Sequence, residues 1–235
     1  MADKTLMEKI NQGRQYRSTQ AIEPVQAPDN EKKYNIRGYA ATFKEPYVLY
    51  KAKEWEYREQ IDPDAFREAD MSDVILQFDH EGMVYARTSN GTLTLGTDEH
   101  GLLINADLGS TATTREIFEQ IQKRLITKMS FGFTVAEDEE LRTTDEDGRE
   151  IWLRTIKKIG KLYDVSVVSM PANDGTEVSA RSLVDGVIAR RAQEIEQQQA
   201  DEAEAEKAKA EAEAKEKEQR ERERLRALTL MNMGE

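Results

Sequence analysis

The sequence predicts a mainly β domain with flanking helices: a small, curled antiparallel β-barrel or sheet, followed by a long charged helix. Three observations predict it. Short apolar and β-branched runs recur between turn residues from 33 to 185, one amphipathic period interrupts them, and the composition changes abruptly near Gly186. Many short strands at turn-bounded spacing with a single inserted helix favour a barrel or strongly curled sheet. Closure would also remove exposed sheet edges.

Residues 1–32 read as a lead-in and linker, polar with weak helical spacing to Gln20 and then Pro-bearing at Glu23-Pro-Val-Gln-Ala-Pro-Asp-Asn30. Residues 33–185 read as the main domain. Tyr34 to Phe43 is rich in β-formers, and Trp55 to Ile61 alternates apolar and polar residues. Val74 to Phe78 is a short apolar run ending at Asp79-His80. Asn90-Gly91 and Asp98-Glu-His-Gly101 are turn signals that make hairpins of the strands around them. Thr113-x-x-Glu116 has the form of a capping box, and Ile117, Ile121 and Leu125 continue it as an amphipathic helix to about Ile126. Ser130 to Val135 returns to strand. An acidic loop, 137–150, precedes two further strands, Ile151 to Ile156 and Leu162 to Val168.

Residues 186–235 read as a tail. From Arg190 to Arg226 the chain is almost wholly Ala, Glu, Lys, Arg and Gln, strong helix formers without Gly or Pro. Glu211–Lys215, Glu213–Lys217, Glu216–Arg220 and Glu218–Arg222 are favourable i,i+4 pairs, each contributing about 0.2–0.5 kcal/mol. Large apolar residues do not recur in heptads, so the stretch is no strong coiled coil on its own. A small apolar cluster, Leu225, Leu228, Leu230 and Met231, ends it.

The 235 residues carry a net charge of −12, which argues against general nucleic-acid binding. There are no cysteines, which removes disulfides, thiol nucleophiles and cysteine-based zinc sites together. No apolar run approaches membrane-spanning length. The opening Met-Ala-Asp-Lys-Thr lacks the apolar stretch of a secretory signal, so a cytoplasmic site of synthesis is expected.

A hydrolase without metal or thiol needs an activated oxygen nucleophile, a base near neutrality and a group to hold that base. Only two histidines are available. His100 sits in a turn, the usual place of an inert, solvent-facing imidazole. His80 stands where a strand ends, either as a base or as a ring merely satisfied there. Ser130 follows the amphipathic helix and opens Ser-Phe-Gly-Phe133; Gly132 would permit close approach of backbone or substrate. Asp164 lies inside an apolar strand, with alternation placing Leu162, Asp164, Ser166 and Val168 on one face. A carboxylate there must find a partner, either an Arg or Lys cation or a histidine N–H, and spacing does not choose between them.

Taken in order, Tyr39-Ala-Ala-Thr-Phe43, Ile61-Asp-Pro-Asp-Ala-Phe66, Phe78-Asp-His80, Gly101-Leu-Leu103, Met129-Ser-Phe-Gly-Phe133 and Leu162-Tyr-Asp-Val-Ser-Val-Val-Ser-Met-Pro-Ala-Asn173 resemble the HK97-type prohead proteases of tailed phages. The resemblance spans residues 33 to about 182. Asp64 stands where that family usually has glycine, and Asp164 where it often has glutamate. The resemblance implies a herpesvirus-protease-like barrel and a serine endopeptidase that needs neither metal nor cofactor. It implies His80 as general base, Ser130 as nucleophile and Asp164 as third member. Backbone donors near Pro171, either Ala172 or Asn173, would form the oxyanion hole. The implied partners are the major capsid protein and scaffold segments of an immature phage head in the bacterial host cytoplasm, and possible self-association and self-cleavage go with them; no nucleic acid or membrane is implied. The alternative is a non-catalytic scaffold acting through its charged tail.

Overall fold

The computed structural model describes residues 10–19, 22–25, 34–169 and 178–232. Among them, eleven strands form two sheets. In chain order these are β1 (Gln15–Thr19), β2 (Ile22–Val25), β3 (Asn35–Thr42), β4 (Tyr47–Lys51), β5 (Trp55–Ile61), β6 (Ile75–Phe78), β7 (Glu81–Arg87), β8 (Leu93–Thr97) and β9 (Gly101–Asp107). Helix α1 (Ala112–Gln122), β10 (Lys128–Thr144), β11 (Glu150–Val168) and helix α2 (Val178–Asn232) follow. The larger sheet runs β1-β10-β11-β5-β4, with β6 on β11 and β7 on β6; the smaller runs β2-β3-β9-β8.

The mainly β expectation holds, but the sheet is mixed rather than antiparallel. β11 takes β5 along its first half and β6 along its second, both parallel. Local turn signals could not reveal this, because parallel partners are joined by long crossovers and not by hairpins. Strand pairing among the described residues forms two sheets, not one closed barrel. They share a core: Ile36, Phe43, Leu102 and Ile104 of or beside the smaller sheet meet Leu76, Phe131, Phe133, Val165 and Val167 of the larger, with Ile117 and Ile121 of α1. Burying such a side chain contributes about 1.5–3 kcal/mol.

Three local readings change. Helix α1 starts two residues earlier than the Thr113 box, because Thr111 is the N-cap and its hydroxyl oxygen accepts from Thr114 N–H at 3.2 Å. The acidic stretch 137–150 is mostly strand: β10 and β11 pair from Lys128↔Val168 out to Thr144↔Glu150, and the two later strands are one. Cross-strand charge supports the ribbon, as where Lys158 Nζ lies 2.9 Å from Glu137. Residues 15–19 and 22–25, read as part of a lead-in, add β1 to one sheet and β2 to the other.

A buried ionic cluster explains why so polar a segment as β1 is ordered. Arg17, at 1% exposure, reaches Glu59 of β5 through Nε at 2.5 Å and Nη2 at 3.1 Å. Arg154 of β11 takes Glu59 Oε2 at 2.6 Å and Asp138 at 2.6 Å. Gln15 accepts from both arginines. Burial pushes Glu59 up, but the two arginines more than offset it and hold its carboxyl at about 2.

Residues 1–186 form one unit and 187–235 a second. The predicted tail helix is present as part of α2, where Glu216 and Arg220 pair at 2.5 Å. The side chains of Leu225, Leu228, Leu230 and Met231 lie outside the described residues. No helix among the described residues is long and apolar enough to cross a membrane.

Candidate active site

Ser130 is the third residue of β10, between Met129 and Phe131, which both face the core. Strand alternation therefore turns its hydroxyl to the opposite face. On that face Ser130 pairs with Ser166 of β11 and Ser18 of β1, and Gly132 pairs with Asp164 and Tyr16. A register shift between Gly132 and Phe133 sets Leu162 opposite Phe133 in the core, so Leu162 leaves the face that simple alternation gave it.

The histidine arrives on a turn. Phe78 pairs with Glu81, leaving Asp79 and His80 as a two-residue hairpin loop with φ 47° and 61°. Both central residues of such a loop have positive φ, a conformation Asp and His tolerate better than most residues. The neighbouring strand steadies the loop. Asp79 N–H donates to Val167 O at 3.0 Å, and its carboxylate accepts from Ser169 N–H and Oγ–H, both at 2.8 Å.

The three side chains meet. His80 Nε2 lies 2.6 Å from Ser130 Oγ, and Nδ1 bonds Asp164 Oδ2. Ser166 Oγ–H donates to the same carboxylate oxygen at 3.0 Å. Arg14 bonds the other oxygen, Oδ1, so Asp164 has taken both partners that the sequence offered as alternatives. Burial pushes the Asp164 carboxyl up; the His80 hydrogen bond, with the charges of His80 and Arg14, outweighs this and leaves it below its ordinary value. An ionised carboxylate only accepts, so Nδ1 carries a proton, and in the neutral ring Nε2 is left to accept from Ser130. The Tyr16 ring covers the imidazole, centroids 4.2 Å apart.

His100 lies elsewhere, in an exposed turn with its ring edge-on to Tyr39. Ala172 and Asn173 fall outside the described residues. Arg14, Tyr16 and the Asp79–Ser169 lock were not foreseen; only the Asp79-His80 dipeptide, a pair suited to positive φ, carried a signal.

Gly132 lets these groups converge. A Cβ there would lie 2.8 Å from Tyr16 Cε1 and 2.9 Å from Arg14 Nε, and it would also press on Asp164 Oδ1. Gly132→Ala is expected to lower kcat/KM at least about 10²-fold, the cost of displacing a reacting group by about 1 Å. Steady-state kinetics beside a melting curve would check this.

A serine hydroxyl bonded to an imidazole, with the far nitrogen held by a buried carboxylate, defines a serine hydrolase. The chain belongs to the caudovirus prohead serine protease family, whose model matches residues 22–196, and it is a serine protease of that kind. Among solved structures it is similar to the bacteriophage T4 capsid assembly protease, gp21, at 11% identity and a TM-score of 0.38, over 67% of this chain and 98% of that one. No curated protein gives a significant sequence match.

Proposed function

We propose that His80, Ser130 and Asp164 act as a catalytic triad that cleaves scaffold and major capsid protein segments within a phage prohead, and cleaves the protease itself. Ser130 Oγ attacks the peptide carbonyl while His80 Nε2 takes its proton; His80 then returns that proton to the leaving amine. Asp164 fixes the tautomer and stabilises the imidazolium. Water repeats the cycle on the acyl-enzyme. The oxyanion is assigned to backbone N–H groups of Ala172 or Asn173, a few residues past Ser169 in sequence. The observation that carries the reading is the unbroken hydrogen-bonded chain from Ser130 through His80 to Asp164.

The proposed place of action is the interior of the immature shell in the bacterial host cytoplasm. The catalytic unit is taken to begin at β1 and to end near 185, with residues 186–235 as a tail that recruits it to the shell. Kinship with the herpesvirus-protease barrel is part of the same reading, supported by two sheets around one core. Co-expression with the capsid and scaffold proteins of its phage tests it. Shortened products on a gel support the proposal; unaltered lengths, with assembled shells present, favour a scaffold role.

A further inference from the structure

We propose that Arg14, the residue just ahead of β1, is a positioning residue of this active site, gripping one oxygen of Asp164 so that the other is aimed at His80. The inference rests on the triad reading above. The Asp164 carboxylate is wholly buried and its oxygens are divided: Oδ2 serves His80 and Ser166, Oδ1 serves Arg14. A carboxylate torsion is broad when only one oxygen is held. A guanidinium on the second oxygen fixes the plane, and the imidazole follows it.

Arg14 is itself held. Its Cζ lies 4.7 Å from the Tyr163 ring and 5.3 Å from the Tyr16 ring, a cation between two aromatic faces. Tyr16 in turn leans on His80. The strand beneath is pinned from the other side, where Arg17 enters the buried cluster with Glu59. The segment thus divides its duties: Gln15 and Arg17 of β1 anchor it, while Arg14 just ahead of the strand and Tyr16 within it reach the triad. An ordinary surface ion pair has neither the buried carboxylate nor the aromatic sleeve, and contributes little. Here the cation also supplies part of what keeps Asp164 ionised.

The test uses the full chain, a fluorophosphonate probe that labels an activated serine, and a scaffold-protein substrate. Arg14→Ala is expected to slow both Ser130 labelling and kcat by about 10–100-fold, with KM nearly unchanged, as for lost orientation of a reacting group. Guanidinium at sub-denaturing concentration should restore much of the loss in Arg14→Ala and leave the native enzyme unaffected. Arg14→Lys should fall between the two, since it keeps the charge and loses the planar fork; it carries the test if the alanine variant does not fold. Labelling of Arg14→Ala at the native rate overturns the proposal, as does a loss that guanidinium does not restore and that follows a lowered melting temperature. A native protein not labelled at Ser130 overturns the triad reading itself, and this inference with it.

Discussion

Ser130→Ala is expected to lower turnover by about 10⁴–10⁶-fold while leaving the fold intact. The magnitude follows from the way the three groups act as one unit: without the hydroxyl, His80 has no proton to take and Asp164 no imidazolium to stabilise. The fold should survive because the change removes one oxygen from a side chain flanked by Ser18 and Ser166, and no core residue is altered. Cleavage of a scaffold substrate, followed by mass spectrometry, would measure the loss. Full activity in this variant would remove Ser130 from the mechanism. His100→Ala makes the natural control, because its exposed turn lies apart from the site.

Glu59→Ala is expected to cost about 3–5 kcal/mol of stability, because it leaves two buried guanidinium groups without their shared carboxylate. Arg17 and Arg154 are both 1% exposed, and water cannot replace what is lost. Set against a typical total of about 5–15 kcal/mol, the change brings the domain close to unfolding. The pH dependence has a definite sign. The Glu59 carboxyl is held at about 2, below its ordinary 4.5, so its contribution is full above roughly 4.5 and fades as pH falls toward 2. The gap between native and Glu59→Ala stability should therefore narrow in acid, which urea titrations at pH 7 and pH 3 would reveal. An unchanged gap would mean that the carboxylate is not what holds the cluster.

How far the sequence disclosed this arrangement depends on the kind of signal each part left. His80 was legible as a candidate because only two histidines are present, whereas the roles of Ser130 and Asp164 came from the ordered motifs that resemble the prohead proteases. Their convergence was not legible: it depends on β6 lying parallel to β11, a pairing across nearly ninety residues that no local period records. β1 was hidden for a different reason. Gln15-Tyr-Arg-Ser-Thr19 looks like solvated chain, and its order comes from ion pairing and not from apolar burial. The stretch 137–150 misled in the same direction, since its acidic residues from Glu137 to Glu140 sit on a well-paired strand. The missed parts are those held by charge, whose partners are distant in sequence, whereas hydrophobic alternation announces itself locally.

The long strand β11 has a consequence beyond topology. Arg154 stands near one end and Asp164 toward the other, ten residues or about 30 Å along a single extended backbone. The ionic anchor and the reacting carboxylate therefore belong to one cooperative stretch, with no loop between them to absorb disorder. A molecule that has begun to melt at either end has already stopped cutting, so heat should abolish proteolysis and structure together.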